Sequence, residues 1–153
     1  MKISENGQKL IKKEEQLRLN AYRDQKGIPT IGWGHIRNVK MGDKITVEQA
    51  QKFFDDDVNE ICEKPLNKFL EKQKIEVNQN QYDALCSFIF NIGFDNFLSS
   101  SVCRALINRE PKENFPKYFS WWNKVKINGV LTVSNGLINR RKREASLFVS
   151  NNN

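Results

Sequence analysis

Apolar positions recur at helical spacing from the start of the chain. Ile3, Leu10, Ile11 and Leu17 fall on one face and Ser4 is a capping residue, which predicts a helix over residues 4–19. The pattern then changes. Gly27, Gly32, Gly34 and Gly42 divide residues 20–45 into short runs such as Ile28-Pro29-Thr30-Ile31, and Asp24-Gln25-Lys26-Gly27 is a turn signal. This predicts a small antiparallel hairpin region. Helical spacing resumes at Thr46, where Thr46 and Gln49 form a capping-box pattern ahead of Ala50, Phe53, Phe54 and Ile61. Pro65 is expected to break or restart that helix. Asn78 opens another, with Tyr82, Leu85, Cys86, Phe88, Ile89 and Ile92, ending at Gly93. This run is apolar almost all round, as a central buried helix would be. Shorter helices are expected over 100–108, 112–124 and 135–149, and the Asn tail at 151–153 is expected to fray. The fold class is α+β: a small sheet near the N-terminus, then a larger helical body.

At 153 residues the chain is the size of one domain and can bury a core without staples. No apolar run is long enough to span a bilayer, and the N-terminus lacks the apolar stretch of a signal peptide. Synthesis in a cytoplasm is expected, without a self-export signal. Cys62, Cys86 and Cys103 cannot all pair within one chain, and they read as buried, reduced thiols with room for at most one disulfide. With no C-x-x-C and a single histidine, no metal site or other cofactor is expected. The net charge of +7 suits an anionic partner: nucleic acid, a membrane surface or bacterial cell wall.

Glu14, Glu15 and Asp24 flank the junction between the first helix and the hairpin, where a cleft tends to form. Two carboxyl groups on opposite walls of a cleft can divide acid and base roles, the requirement of glycoside hydrolysis. Periodicity does not choose between the glutamates: Glu14 lies four residues after Leu10, and Glu15 four after Ile11. Thr30 favours a strand, though its hydroxyl could hold a water beside Asp24. The glycines of Thr30-Ile-Gly-Trp-Gly-His35 read as tight packing of the sheet against helices. His35 reads as structural, with Asp55, Asp56 and Asp57 offering a partner. The basic run 139–144, Asn-Arg-Arg-Lys-Arg-Glu, reads as a solvated helix face or a phosphate patch, and an arginine in it can hold a carboxylate.

Glu15, then Asp24 nine residues on, Thr30 six further, and the closing Thr-Ile-Gly-Trp-Gly-His resemble the signature of the phage-type lysozymes, the endolysin muramidases of tailed bacteriophages. The resemblance continues through Asn80–Leu85 and Ser87–Gly93 and returns at Gly136–Glu144. It implies a single lysozyme-like domain over 1–153. A small lobe at about 15–60 would be joined by the 46–72 helix to a helical lobe at about 65–150, with a cleft between them and helix 4–16 packed on the C-terminal lobe. It selects Glu15 as general acid, Asp24 as the group that stabilises positive charge and activates a water, and Thr30 as the residue that positions that water. Arg140 would orient Glu15, and His35 would pair with Asp57. Phe90 and Asn91 would contact sugar. The implied reaction inverts the anomeric centre of the β-1,4 bond between N-acetylmuramic acid and N-acetylglucosamine, lysing the host cell. The substrate partner would be peptidoglycan glycan strands, met by a monomer. Made in the host cytoplasm, the enzyme would need a separate holin to reach the wall in the periplasm. One departure stands out: Gly usually follows the catalytic Glu, and this chain has Gln16.

Two other classes fit parts of the pattern. A non-catalytic wall-binding module has no use for Glu15, Asp24 and Thr30 together. A nucleic-acid binder would draw on the charge and the 139–144 run, but no nucleic-acid motif accompanies them.

Overall fold

The computed structural model describes residues 1–151, so 152–153 of the Asn tail lie outside the described residues. Helix α1 spans Glu5–Glu15, with the Ser4 side chain accepting a bond from the Gly7 amide. The Ser4 amide and hydroxyl also bond to Asp83, tying the start of α1 to a central helix. Gly7 is required at this crossing, since a Cβ there would lie 2.7 Å from Asp83 Cγ. The helix stops four residues earlier than its periodicity suggests. Gln16 leaves helical space at φ 55°, ψ 141°, and Leu17 belongs to the entry into a strand.

Strands β1 (Arg18–Arg23) and β2 (Pro29–Gly32) form the expected antiparallel hairpin, with Tyr22 opposite Thr30 and a register shift between Arg18 and Tyr22. Bridges from Asn20 to Lys44 and from Ile31 to His35 extend it. Helix α2 (Val47–Val58) begins at the complete Thr46/Gln49 capping box. A π-helical turn, Asn59–Glu63, joins it to α3 (Lys64–Gln73), whose first turn contains Pro65. The wider turn takes up the missing proline N–H, so the helix restarts without a loop.

Helix α4 (Gln79–Ile92) runs from an Asn78/Gln81 capping box to Gly93 and is buried through most of its length. Tyr82, Leu85, Phe88 and Ile89 are fully enclosed at the centre of the main core. Around them lie α5 (Phe94–Ser99), α6 (Ser101–Ile107), α7 (Phe115–Ser120) and α8 (Asn135–Val149). The helix expected over 112–124 ends at Ser120. Residues after it form a second antiparallel hairpin, β3 (Lys124–Ile127) and β4 (Val130–Val133). Asn128 and Gly129 both take positive φ, the type I′ geometry that joins two strands directly.

A smaller core of Ile11, Phe54 and Val58 lies under the first hairpin, with Trp33 and Phe90 packed on it. Phe90 projects from α4, its ring 5.9 Å from that of Phe54, so the two cores meet there. Glu15 follows Ile11 by one helical turn and emerges beside that junction. All three cysteines are buried free thiols.

Candidate active site

Glu15 is the last residue of α1, and its carboxyl is mostly shielded from solvent. Oε1 accepts a bond from Arg140 Nη1 at 2.9 Å. Oε2 faces Gly34: a Cβ at that glycine would lie 2.8 Å away. Gly34 also has φ +77°, so both backbone shape and space favour glycine. Arg140 is itself fixed, with Nε on Glu144 Oε2 at 3.2 Å and Nη2 on the Ser87 carbonyl at 3.1 Å.

Glu144 is fully buried and also takes the Ser87 hydroxyl and Arg141 Nη2. Arg141 Nε lies 2.8 Å from Glu144 Oε1 off the hydrogen-bonding direction, and its guanidinium stacks 5.0 Å from the Phe88 ring. Two cations thus meet two anions in a low-dielectric interior. Burial pushes the Glu144 carboxyl up and the Arg141 guanidinium down, each opposed by the other's charge. Residues 139–144 are therefore neither a solvated face nor a phosphate patch at Arg140, Arg141 and Glu144. The helical period turns these three inward. Glu14 is also held by α8, through Arg143.

Asp24 closes the turn after β1. Its Oδ1 accepts the Lys26 amide at 2.8 Å and the Ile28 amide at 2.9 Å, and its own amide donates to the Ile28 carbonyl. Oδ2 accepts no bond among the described residues. Thr30 is buried on β2, and its hydroxyl donates to the Ile28 carbonyl at 2.8 Å. With that proton committed, Oγ1 presents lone pairs only.

His35 Nδ1 lies 2.8 Å from Asp57 Oδ2, both groups buried, and the imidazole stacks on Phe53 at 4.2 Å. Arg37 approaches the other Asp57 oxygen at 3.7 Å. This pair links the β2 end of the hairpin to α2. Phe90 is half-buried and Asn91 exposed at the end of α4. Gln16 stands in a left-handed conformation that glycine adopts freely and glutamine only with strain.

Sequence reasoning missed Glu144 and Ser87. Glu144 had a signal: it stands four residues after Arg140, the spacing of a helical ion pair. Ser87 had none, because its contacts come from the tertiary packing of α4 on α8.

One carboxyl is pinned at the end of α1 and a second is held in the turn of the adjoining hairpin, and a pair of carboxyl groups is what cutting a glycosidic bond requires. In a mostly helical chain with two small antiparallel sheets, this is the lysozyme class of glycoside hydrolase. The phage lysozyme family profile matches residues 12–144. An endolysin of Acyrthosiphon pisum secondary endosymbiont phage 1 is 42% identical over 151 residues, 98% of this chain and 99% of that one. Among solved structures, the endolysin of Escherichia coli O157:H7 phage FAHEc1 superposes with a TM-score of 0.83 at 39% identity, covering 97% of this chain and 94% of the other. The muramidase domain of SpmX from Asticaccaulis excentricus does so with 0.83 at 34%, covering 98% and 99%. The chain belongs to the phage lysozyme family, and as such is a peptidoglycan-hydrolysing glycoside hydrolase.

Proposed function

We propose that this endolysin-type muramidase cleaves the β-1,4 bond between N-acetylmuramic acid and N-acetylglucosamine by inversion, with Glu15 as general acid. The observation that carries this reading is the asymmetric hold on Glu15. Arg140 occupies Oε1, which leaves Oε2 to carry the proton that passes to the leaving glycosidic oxygen. Asp24 is the base. Its Oδ1 is spent on backbone amides and its Oδ2 is open to a water. A water that donates one proton to Asp24 Oδ2 and the other to Thr30 Oγ1 turns its lone pair toward the anomeric carbon. Its attack forms the new C–O bond as the glycosidic bond breaks. Asp24 takes a proton from that water, and Glu15 gives one to the departing sugar.

The His35–Asp57 pair supports this by fixing the hairpin on α2. Phe90 and Asn91, where the two cores meet, contact the sugar chain. A cleft separates the small lobe at about 15–60 from the helical lobe at about 65–150, and a monomer with such an open cleft suits a polymeric substrate. Made in the host cytoplasm, the enzyme reaches the periplasmic wall through a separate holin and lyses the cell. Among the described residues no helix is long and apolar enough to cross a membrane.

Proton NMR of freshly cut glycan strands tests the reaction. The α-anomer at the new reducing end is the expected first product. A β-anomer would contradict inversion.

A further inference from the structure

The register of the first hairpin places a side chain in the site that the two-carboxylate scheme leaves unused. Tyr22 stands directly opposite Thr30, so the two share one face of the hairpin. Asp24 is two residues further along the chain. The register of β1 shifts between Arg18 and Tyr22, and the Arg18 guanidinium lies 4.3 Å from the centre of the Tyr22 ring. Two residues four apart in a regular strand lie roughly 13 Å apart and do not stack. Irregular pairing of this kind can re-aim a side chain. Tyr22 is half-buried, yet its hydroxyl makes no hydrogen bond among the described residues, unlike the phenols of Tyr82 and Tyr118. The hydroxyl is therefore free of protein partners and open to solvent or a bound ligand. Burial, and then the charge of Glu15, push this phenol above its ordinary value. Arg18 opposes the shift and Asp24 adds to it, so the hydroxyl keeps its proton through the neutral range.

We infer that Tyr22 is a substrate-binding residue: its ring, clamped by Arg18, offers a neutral O–H donor beside Thr30 and Asp24 to a hydroxyl or N-acetyl oxygen of the bound sugar. This rests on the muramidase reading and deepens it. The uncommitted hydroxyl of Tyr22 then donates to the substrate in place of solvent, and the register shift in β1 accompanies its placement.

The test uses Tyr22→Phe, which keeps the ring and its stacking and removes only the hydroxyl. With soluble, uncross-linked peptidoglycan strands, KM should rise roughly 2–12-fold, the range of one ordinary hydrogen bond, while kcat changes less than twofold and Tm stays in place. In a second measurement, Glu15→Gln protein is labelled with 3-fluorotyrosine, and the resonance of Tyr22 is assigned through Tyr22→Phe. Adding the same strands should move the Tyr22 fluorine signal and leave that of buried Tyr82 unmoved. An unchanged KM, or a Tyr22 signal that stays put, overturns the inference. Absence of new reducing ends with the unmutated protein would instead overturn the muramidase reading on which it stands.

Discussion

Glu15 is held by Arg140, 125 positions away on α8, whereas Asp24 is held by the amides of its own turn, two and four residues on. The first carboxyl depends on the packing of α1, α4 and α8 around a buried network of Arg140, Arg141, Glu144 and Ser87. The second depends on a few residues of local backbone. The two carboxyls thus differ in kind, one fixed by the global packing and one by its local turn. Damage to the first region should therefore cost stability and activity together, and damage to the second should cost little of the fold.

The largest effect should come from Glu144→Ala. It leaves Arg140 and Arg141 buried without their shared anion, and losing one partner of a buried ion pair typically costs about 3–5 kcal/mol. Urea unfolding should show that loss, with lysis falling alongside it. Next comes Gly34→Ala, which adds a methyl 2.8 Å from Glu15 Oε2 at a positive φ. If Glu15 is the proposed acid, displacing its carboxyl by about an ångström should cost on the order of 100-fold in kcat, while the backbone strain costs about 1–2 kcal/mol. Gln16→Gly should relieve the strained end of α1 and raise stability by about 1 kcal/mol in the same urea assay. Gly27→Ala tests the local side. Its φ is +78° but no atom lies within 4 Å of the added methyl, so about 1 kcal/mol is expected. If Gly27→Ala destabilised the protein as much as Glu144→Ala, the contrast between the two regions would collapse.

The same contrast governs what could be read from the chain. Features set by a few neighbouring residues were legible: the Thr46/Gln49 capping box, the helix start at Asn78, the turn at Asp24 and the stop at Gly93. Within helix α1 the period continued through Leu17, but the chain turns at Gln16 because the next residues pair across the hairpin. The β3–β4 hairpin was missed despite a local signal, Asn128-Gly129 between alternating residues. Its strands are exposed on nearly all sides, so no buried face marks them. In the site, the choice between Glu14 and Glu15 was not decidable from periodicity. Both glutamates reach arginines on α8, and only the helical phase there separates buried Arg140 from partly exposed Arg143. The motif spacing shared with phage lysozymes chose Glu15, and Gly34 and Arg140 surround that same carboxyl. The ion network behind Arg140 was beyond the sequence, because its members meet only when α4 packs on α8.

Glu14 and Glu15 offer the most direct test, since they are chain neighbours bound to the same helix, and Glu15 alone turns an oxygen toward Gly34. Reducing-end release from purified peptidoglycan should be measured for Glu15→Gln and Glu14→Gln beside the unmutated enzyme, with circular dichroism on each. Glu15→Gln is expected to stay folded and lose about 100-fold or more of the rate, the range of a general acid, while Glu14→Gln stays within a few-fold. A folded Glu15→Gln that still releases reducing ends at the unmutated rate would contradict the assignment of the acid.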